Sequence, residues 1–324
     1  MSNFDNAIFK YIENENKIVP IMKHYEYCKE VVHKMKKVLD LYKEPNGFTS
    51  YNNDVLNTLS DIETSGVGFD INYKTIENRT HISSNNLVFT QYNPYTSTGR
   101  PSNKYAGTNY SALNKADGSR APYVSRFEKG MLVEMDYDAY HLRLIADRIG
   151  YSFPKGSVHQ HMAELYGVDY QEAKNLSFQY LYGYIPDDIK RDNEYFSKVS
   201  DYINIVWDEY KTKEFIVSDI YNKKIYRKNL QDMNPNKLFN YMIQLMETEN
   251  NMRILEELLP RINQFKSRLV LYNYDSFLFD FNIDDGLEYL SQVKNILEQD
   301  GKYPVKVAWG LNYHEMKDIT EKFK

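Results

Sequence analysis

"LYNYDSFLFDF", residues 271–281, surrounds an aspartate with leucine, tyrosine and phenylalanine. An unpaired carboxylate is costly to bury, so Asp275 needs a cation, a turn that hydrogen-bonds it, or access to water. The spacing predicts one β-strand over 268–273 and a second over 277–281. Between them Asn273, Tyr274, Asp275 and Ser276 have the chemistry of a tight hairpin turn. Asp275 is then expected at the hairpin tip, poised rather than buried.

A second acid stands in a comparable place. "MLVEMDY" (131–137) reads as an apolar strand that ends on Asp136, and "YHLRLIADRIG" (140–150) reads as the helix that follows. Strand ends that turn into helices are where sheets carry their chemistry. If the two strands are neighbours, Asp136 and Asp275 converge, and the repulsion between them is best relieved by divalent cations. Mg²⁺ is typically held by one or two carboxylates plus substrate phosphates, which makes this a minimal site for phosphoryl transfer. Asp138, two residues on, is a further candidate carboxylate or a cap for the helix that follows.

A third element offers a phosphate and base partner. In "DYQEAKNLSFQYLYG" (169–183), Asp169 and Glu172 form a capping-box signature, so a helix starts there. Lys174, Phe178 and Tyr182 follow at steps of four and share one face, with a cation for a triphosphate and two flat rings for a base.

Composition bounds the rest. The 324 residues are 42% apolar and 15% aromatic, which is globular rather than disordered. A formal charge of −5 argues against nucleic-acid binding by bulk charge and leaves a local basic groove open. The single cysteine, Cys28, permits no internal disulfide and no cysteine-based zinc site. With no signal pattern and no long apolar run, the expectation is a cytoplasmic chain, in the host cytoplasm if viral, without a membrane span. Residues 17–44 predict an amphipathic helix with a basic side.

The order of these segments carries a resemblance. "TSTGRPS" (96–102), "LVEMDYDAYHLR" (132–143), "AKNLSFQYLYG" (173–183), "NYMIQ" (240–244) and "VLYNYDSFLFDF" (270–281) resemble the successive motifs of family A DNA polymerases, and "YPVKVAWGLNYHEM" (303–316) looks like that family's last strand and tail. The resemblance implies an α+β fold: a right-hand polymerase palm, an antiparallel sheet with packed helices, plus helical fingers, with the thumb reduced or absent. It implies an N-terminal helical region over 1–84, as a thumb remnant or partner-binding part. It further implies palm over 85–150, fingers over 151–238 and the second part of the palm over 239–324. It implies template-directed addition of deoxynucleotides to a primer 3′-hydroxyl, with primer-template DNA and dNTPs as partners. Asp136 and Asp275 would hold two Mg²⁺ ions, with Mn²⁺ as a substitute, and Tyr137 is assigned beside them to metal and nucleotide. Lys174 would neutralise the triphosphate, Phe178 would pack on sugar and base, and Tyr182 would stack under the templating pair. His159 looks like the family's histidine near the β-phosphate, and Arg100, Asn240 and Gln244 would touch primer and template. Arg143 is expected to be structural support.

The chain also departs from the family pattern. Ser276 replaces the acid that usually follows the motif aspartate, Tyr274 the histidine before it, and His141 the glutamate that blocks the ribose 2′-hydroxyl. Tyr170 stands where an arginine is usual, one turn before Lys174, so a weaker phosphate grip is expected. "IVPIMKHYEYCKEVVHKMKKVL" (18–39) is similar to a thumb helix, while "DIETSGVGFD" (61–70) looks like the segment that ordinarily precedes the thumb. The region before Thr98-Gly99-Arg100 offers no room for a proofreading domain, so the expectation is one chain of a split phage polymerase with a second polypeptide supplying the missing functions. Two other readings stay open: a sugar-relaxed, primase-like or RNA-making enzyme, and a degenerate homologue kept for DNA binding.

Overall fold

The structure is a computed structural model that describes residues 47–73, 82–94, 96, 98–103, 109–230 and 232–323. The amphipathic helix read over 17–44, and Cys28 with it, lies outside the described residues.

The described chain opens with helix α1 (Gly47–Ser65), then the short strands β1 (Val67–Phe69), β2 (Leu87–Val88) and β3 (Tyr123–Val124), which form a small antiparallel sheet in the order β2-β1-β3. Strand β4 (Gly130–Tyr137) follows, then helices α2 (Tyr140–Arg148), α3 (Val158–Tyr166), α4 (Tyr170–Tyr182), α5 (Asp187–Asp192) and α6 (Glu194–Thr212). A hairpin of β5 (Phe215–Val217) and β6 (Lys224–Tyr226) leads to the long helix α7 (Pro235–Ile262). The chain closes with β7 (Arg268–Asn273), β8 (Ser276–Asn282), helix α8 (Gly286–Glu298), β9 (Val305–Gly310) and β10 (Lys317–Asp318). Among the described residues no helix is long and apolar enough to cross a membrane.

The main sheet is antiparallel, in the order β10-β9-β4-β8-β7. The central strand β4 buries Leu132, Val133, Glu134 and Met135 in succession, so both of its faces are covered and the alternation of a half-exposed strand is absent. Its core is shared with α1, α7 and α8 through Leu59, Leu255, Leu258 and Leu290. A second core, with Leu142, Met162, Ala173 and Phe196, lies among α2, α3, α4 and α6, and a third joins the end of α6 to the β5–β6 hairpin and the start of α7.

Two buried acids hold the sheet to its surroundings. Asp280 is fully buried in β8, where Arg126 Nε meets Oδ2 at 2.8 Å and Ser125 Oγ donates to Oδ1 at 2.5 Å. Glu134 accepts from the Tyr313 hydroxyl at 3.0 Å and lies 3.6 Å from Arg120 Nη1. At the outer strand β7, an irregularity between Leu269 and Leu271 shifts the register. Just beyond it the Tyr92 hydroxyl donates to the Tyr272 carbonyl at 2.8 Å and accepts from the Tyr272 amide at 2.7 Å.

Helix α7 touches α1, α2, α4, α6 and α8. That position explains an unusual run: Glu247, Thr248, Glu249, Asn250 and Asn251 are consecutive, polar and all buried. Each finds a partner. Thr248 Oγ1 donates to the Gln244 carbonyl, Glu249 accepts from the Ile220 and Tyr221 amides, Asn250 Nδ2 donates to the Tyr140 hydroxyl, and Asn251 Nδ2 donates to the Tyr274 carbonyl. Glu247 belongs to the site described next.

Candidate active site

Strands β4 and β8 are neighbours, in the register Asp136 opposite Ser276, and the Tyr137 amide donates to the Asp275 carbonyl at 3.1 Å. The two acids therefore end adjacent strands at the same end of the sheet. Asp275 is exposed at the hairpin tip, as the sequence predicts. The turn is held against its own preference: Tyr274 has φ 64°, a left-handed conformation rare for a bulky residue. Arg100 lies 3.7 Å over the Tyr274 ring, and Asn251 Nδ2 donates to the Tyr274 carbonyl at 2.7 Å, which pins the turn from both sides. After Asp136 the chain bends through Ala139, also left-handed at φ 52°, before α2 begins.

Burial and the neighbouring charges of Asp275 and Glu134 push the Asp136 carboxyl up to about 7. Asp275 is raised as well, by desolvation on its walled side and by Glu247, against His141 and Arg100. Both acids thus pay for their company in the free protein, and a divalent cation between them would relieve that cost. Among the described residues no third acid or histidine completes a protein-only metal cluster. A donor set of this kind fits Mg²⁺, which takes its remaining ligands from water and substrate phosphates.

The two acids open into a cleft of about 670 Å³ whose walls include Arg100, Tyr137, His141, His159, Lys174, Phe178, Tyr182, Asn240 and Gln244, so the residues assigned from the sequence to metal, nucleotide or DNA line one space. Helix α4 begins where its cap predicts, with Asp169 Oδ1 accepting from the Glu172 amide at 2.9 Å, and carries Lys174 exposed on the cleft side. The Phe178 and Tyr182 rings lie 5.9 Å apart and 4° from parallel, forming one flat wall. Asn240 Nδ2 donates to the Tyr182 carbonyl at 3.2 Å, and Gln244 Oε1 accepts from Thr98 at 3.3 Å, so α7 ties the aromatic wall to the Thr98–Arg100 segment.

Three sequence expectations need refinement. The Tyr137 side chain points into the core, its hydroxyl donating to the Leu297 carbonyl at 2.8 Å, so the phenol is not offered to a metal and only the backbone faces the cleft. His159 is buried against Tyr170 and Phe178, and burial pushes its imidazole down to about 4, which keeps it neutral; its Nδ1 is buried with no hydrogen-bond partner. Asp138 neither caps α2 nor stands free: its oxygens lie 2.6 Å from Lys306 Nζ and 3.3 Å from Arg143 Nη2. Arg143 also donates to the Asp138 and Gly156 carbonyls, the support expected of it.

Two cleft-side residues escape a reading by motif. Glu247 is fully buried, with Arg100 Nε at 2.9 Å and His141 Nε2 at 3.2 Å from Oε2, and Arg100 Nη2 donates to Oε1 at 3.1 Å. His141 Nδ1 hydrogen-bonds with the Tyr182 hydroxyl. One buried carboxylate thus links Arg100, His141 and, through it, Tyr182. Burial by itself would raise Glu247, but His141 and Arg100 more than offset it and hold the carboxyl below its ordinary value. The second is Lys306, which lines the cleft opposite Asp136. A separate cavity of about 300 Å³ lies between α2 and α7, where Arg148 pairs with Asp219 and Lys302 with Asp147; none of the residues of the acidic cleft line it.

No family model matches the sequence, and no curated protein matches it. The structure is similar to the POL domain of Pol1 from M. smegmatis, solved in complex with DNA primer-template and dNTP, at 19% identity and a TM-score of 0.60. The match covers 72% of this chain and 49% of that one, so the chain spans about half the length of that structure. The fold is that of a polymerase palm with helical fingers. The five-stranded sheet with α7 and α8 corresponds to the α+β class expected from the sequence.

Proposed function

We propose that this protein is a template-directed DNA polymerase, a nucleotidyltransferase that joins dNTPs to a primer 3′-hydroxyl. The observation that carries the reading is the convergence of Asp136 and Asp275 at one end of a cleft that also holds Lys174, Phe178 and Tyr182. A phosphoryl-transfer site needs a pair of carboxylates, a cation for the triphosphate and a surface for the base, and the cleft has all three. The likeness to a polymerase domain supports it at the level of fold. In this reading palm occupies 85–150 and 239–324, and fingers occupy 151–238.

Asp136 and Asp275 would hold two Mg²⁺ ions, which when bound activate the 3′-hydroxyl and neutralise the departing pyrophosphate. The protein's own part is positioning. Lys174, on the exposed side of α4, meets the triphosphate; the parallel rings of Phe178 and Tyr182 stack sugar and base. Arg100 is fixed by Glu247 and Tyr274, so that it faces the primer end without searching for it. His141, held by Tyr182 and Glu247, stands beside the sugar.

The test is primer extension by the purified chain with dNTPs and Mg²⁺, alongside Asp136→Ala and Asp275→Ala. Incorporation by the wild type and its loss in both variants, with circular dichroism unchanged, is the expected result. Substantial incorporation by either variant removes the carboxylate pair from the chemistry.

A further inference from the structure

Strand β9 pairs with β4 so that Lys306 lies directly opposite Asp136. Directly opposed residues of an antiparallel pair project from the same face, so the lysine rises beside the carboxylate into the cleft. Its ammonium reaches Asp138 Oδ1 at 2.6 Å and also interacts with Tyr170, the first residue of α4.

Asp138 is held by two cations, this lysine and Arg143. Its other oxygen meets Arg143, which is further fixed by the Asp138 and Gly156 carbonyls. Lys306 is the exposed partner of the pair, its side chain 50% exposed where that of Asp138 is 9% exposed, and it also faces Asp136 across the strands. Lys174 and the unpartnered His159 Nδ1 line the same part of the cleft. Two lysines from different elements and a buried imidazole nitrogen without a partner share the cleft with the carboxylate pair, a set of donors suited to a phosphate that arrives with its divalent cations.

We infer that Lys306 is a phosphate-contact residue for the incoming nucleoside triphosphate, held in place by Asp138 until the substrate arrives. This rests on the proposed polymerase reading and deepens it. A lysine suits the task because its flexible stem lets the ammonium turn from one oxygen acceptor to another without the fixed geometry of a guanidinium fork. It also offers the fingers helix α4 and the palm strand β9 a shared ligand, since Lys174 comes from the first and Lys306 from the second.

The experiment measures equilibrium binding of dATP and, separately, of inorganic tripolyphosphate to the full chain with Mg²⁺, for the wild type, Lys306→Met and Lys306→Arg. Lys306→Met keeps most of the apolar stem, so the strand is undisturbed. It should weaken both ligands about 10-fold, the value of one partly exposed charge-assisted hydrogen bond. Lys306→Arg should stay within about threefold of the wild type, and primer-template affinity should not change in either. If Lys306 serves only its ion pair with Asp138, Lys306→Met lowers the thermal midpoint and leaves both dissociation constants where they were, which overturns the inference. Tripolyphosphate binding that depends on Lys306 in a protein that extends no primer keeps the inference and removes the polymerase reading. Primer extension with unaltered dATP affinity in Lys306→Met does the reverse.

Discussion

Glu247→Gln is the most informative perturbation of stability, because it removes a charge and little else. The wild-type carboxylate is fully buried between Arg100, whose side chain is 25% exposed, and His141, at 11%. Breaking a buried pair by removing one partner typically costs about 3–5 kcal/mol. The amide keeps the volume and one acceptor for Arg100, and Arg100 retains some water and the Tyr274 ring, so the expected loss is nearer about 2 kcal/mol, the scale of a hydrogen bond to a charged group. The sign of the pH dependence follows from the depressed carboxyl. A folded-state value below the unfolded one gives stability that is fully present above the unfolded value, near 4.5, and that is lost as pH falls through the folded value. Urea denaturation at neutral pH should therefore show a lower midpoint with an unchanged slope for the variant, and the gap from the wild type should narrow in acid. A neutral-pH difference within the roughly 0.5 kcal/mol of ordinary surface substitutions would refute the argument. So would a gap that widens in acid.

Two further outcomes follow from the same physics. Asp280→Asn should lose about 3 kcal/mol, because it strips the charge that faces Arg126 inside the sheet; chemical denaturation checks it, and an unchanged midpoint would mean that the pair contributes nothing net. If the proposed polymerase reading holds, His141, held by Tyr182 and Glu247, stands beside the sugar, so discrimination against NTPs should persist but fall below that of a glutamate at this site. Comparing kcat/KM for dATP and ATP tests it, and equal values would favour the sugar-relaxed reading instead.

The sequence made much of this site legible because its chemistry sits at ends and caps. The hairpin at Asn273–Ser276, the strand that stops at Asp136 and the helix that starts after Asp169 each have local signals, and local signals survive without knowledge of the fold. What stayed hidden depends on partners far along the chain. Nothing local in Glu247–Asn251 distinguishes a polar run that faces water from one buried among Tyr140, the Ile220–Tyr221 loop and the Tyr274 turn. Lys306 looks like an outward charge between Val305 and Val307, and only the register with β4 brings it beside Asp136. Asp138 had two local explanations, metal ligand and cap, and it pairs instead with Arg143, five residues on, and with the distant Lys306. The Tyr137 phenol was likewise out of reach of motif reasoning, because strand pleat rather than motif membership sends it to Leu297.

The Tyr92 hydroxyl has a role that extends beyond its two hydrogen bonds. An outer strand is a template on which another chain can add itself, so exposed sheet margins invite fibrils and misassembly. Here the β7 margin carries a register irregularity, lies against α1, and has its Tyr272 amide and carbonyl both occupied by a phenol from elsewhere in the chain. The opposite margin, β10, is only Lys317 and Asp318, both exposed and charged. A sheet closed in this way resists self-association during synthesis at high concentration, and it directs any protein that docks on this molecule toward helices and loops rather than toward strand addition. Replacing Tyr92 with phenylalanine would unseal that margin while leaving its ring in place.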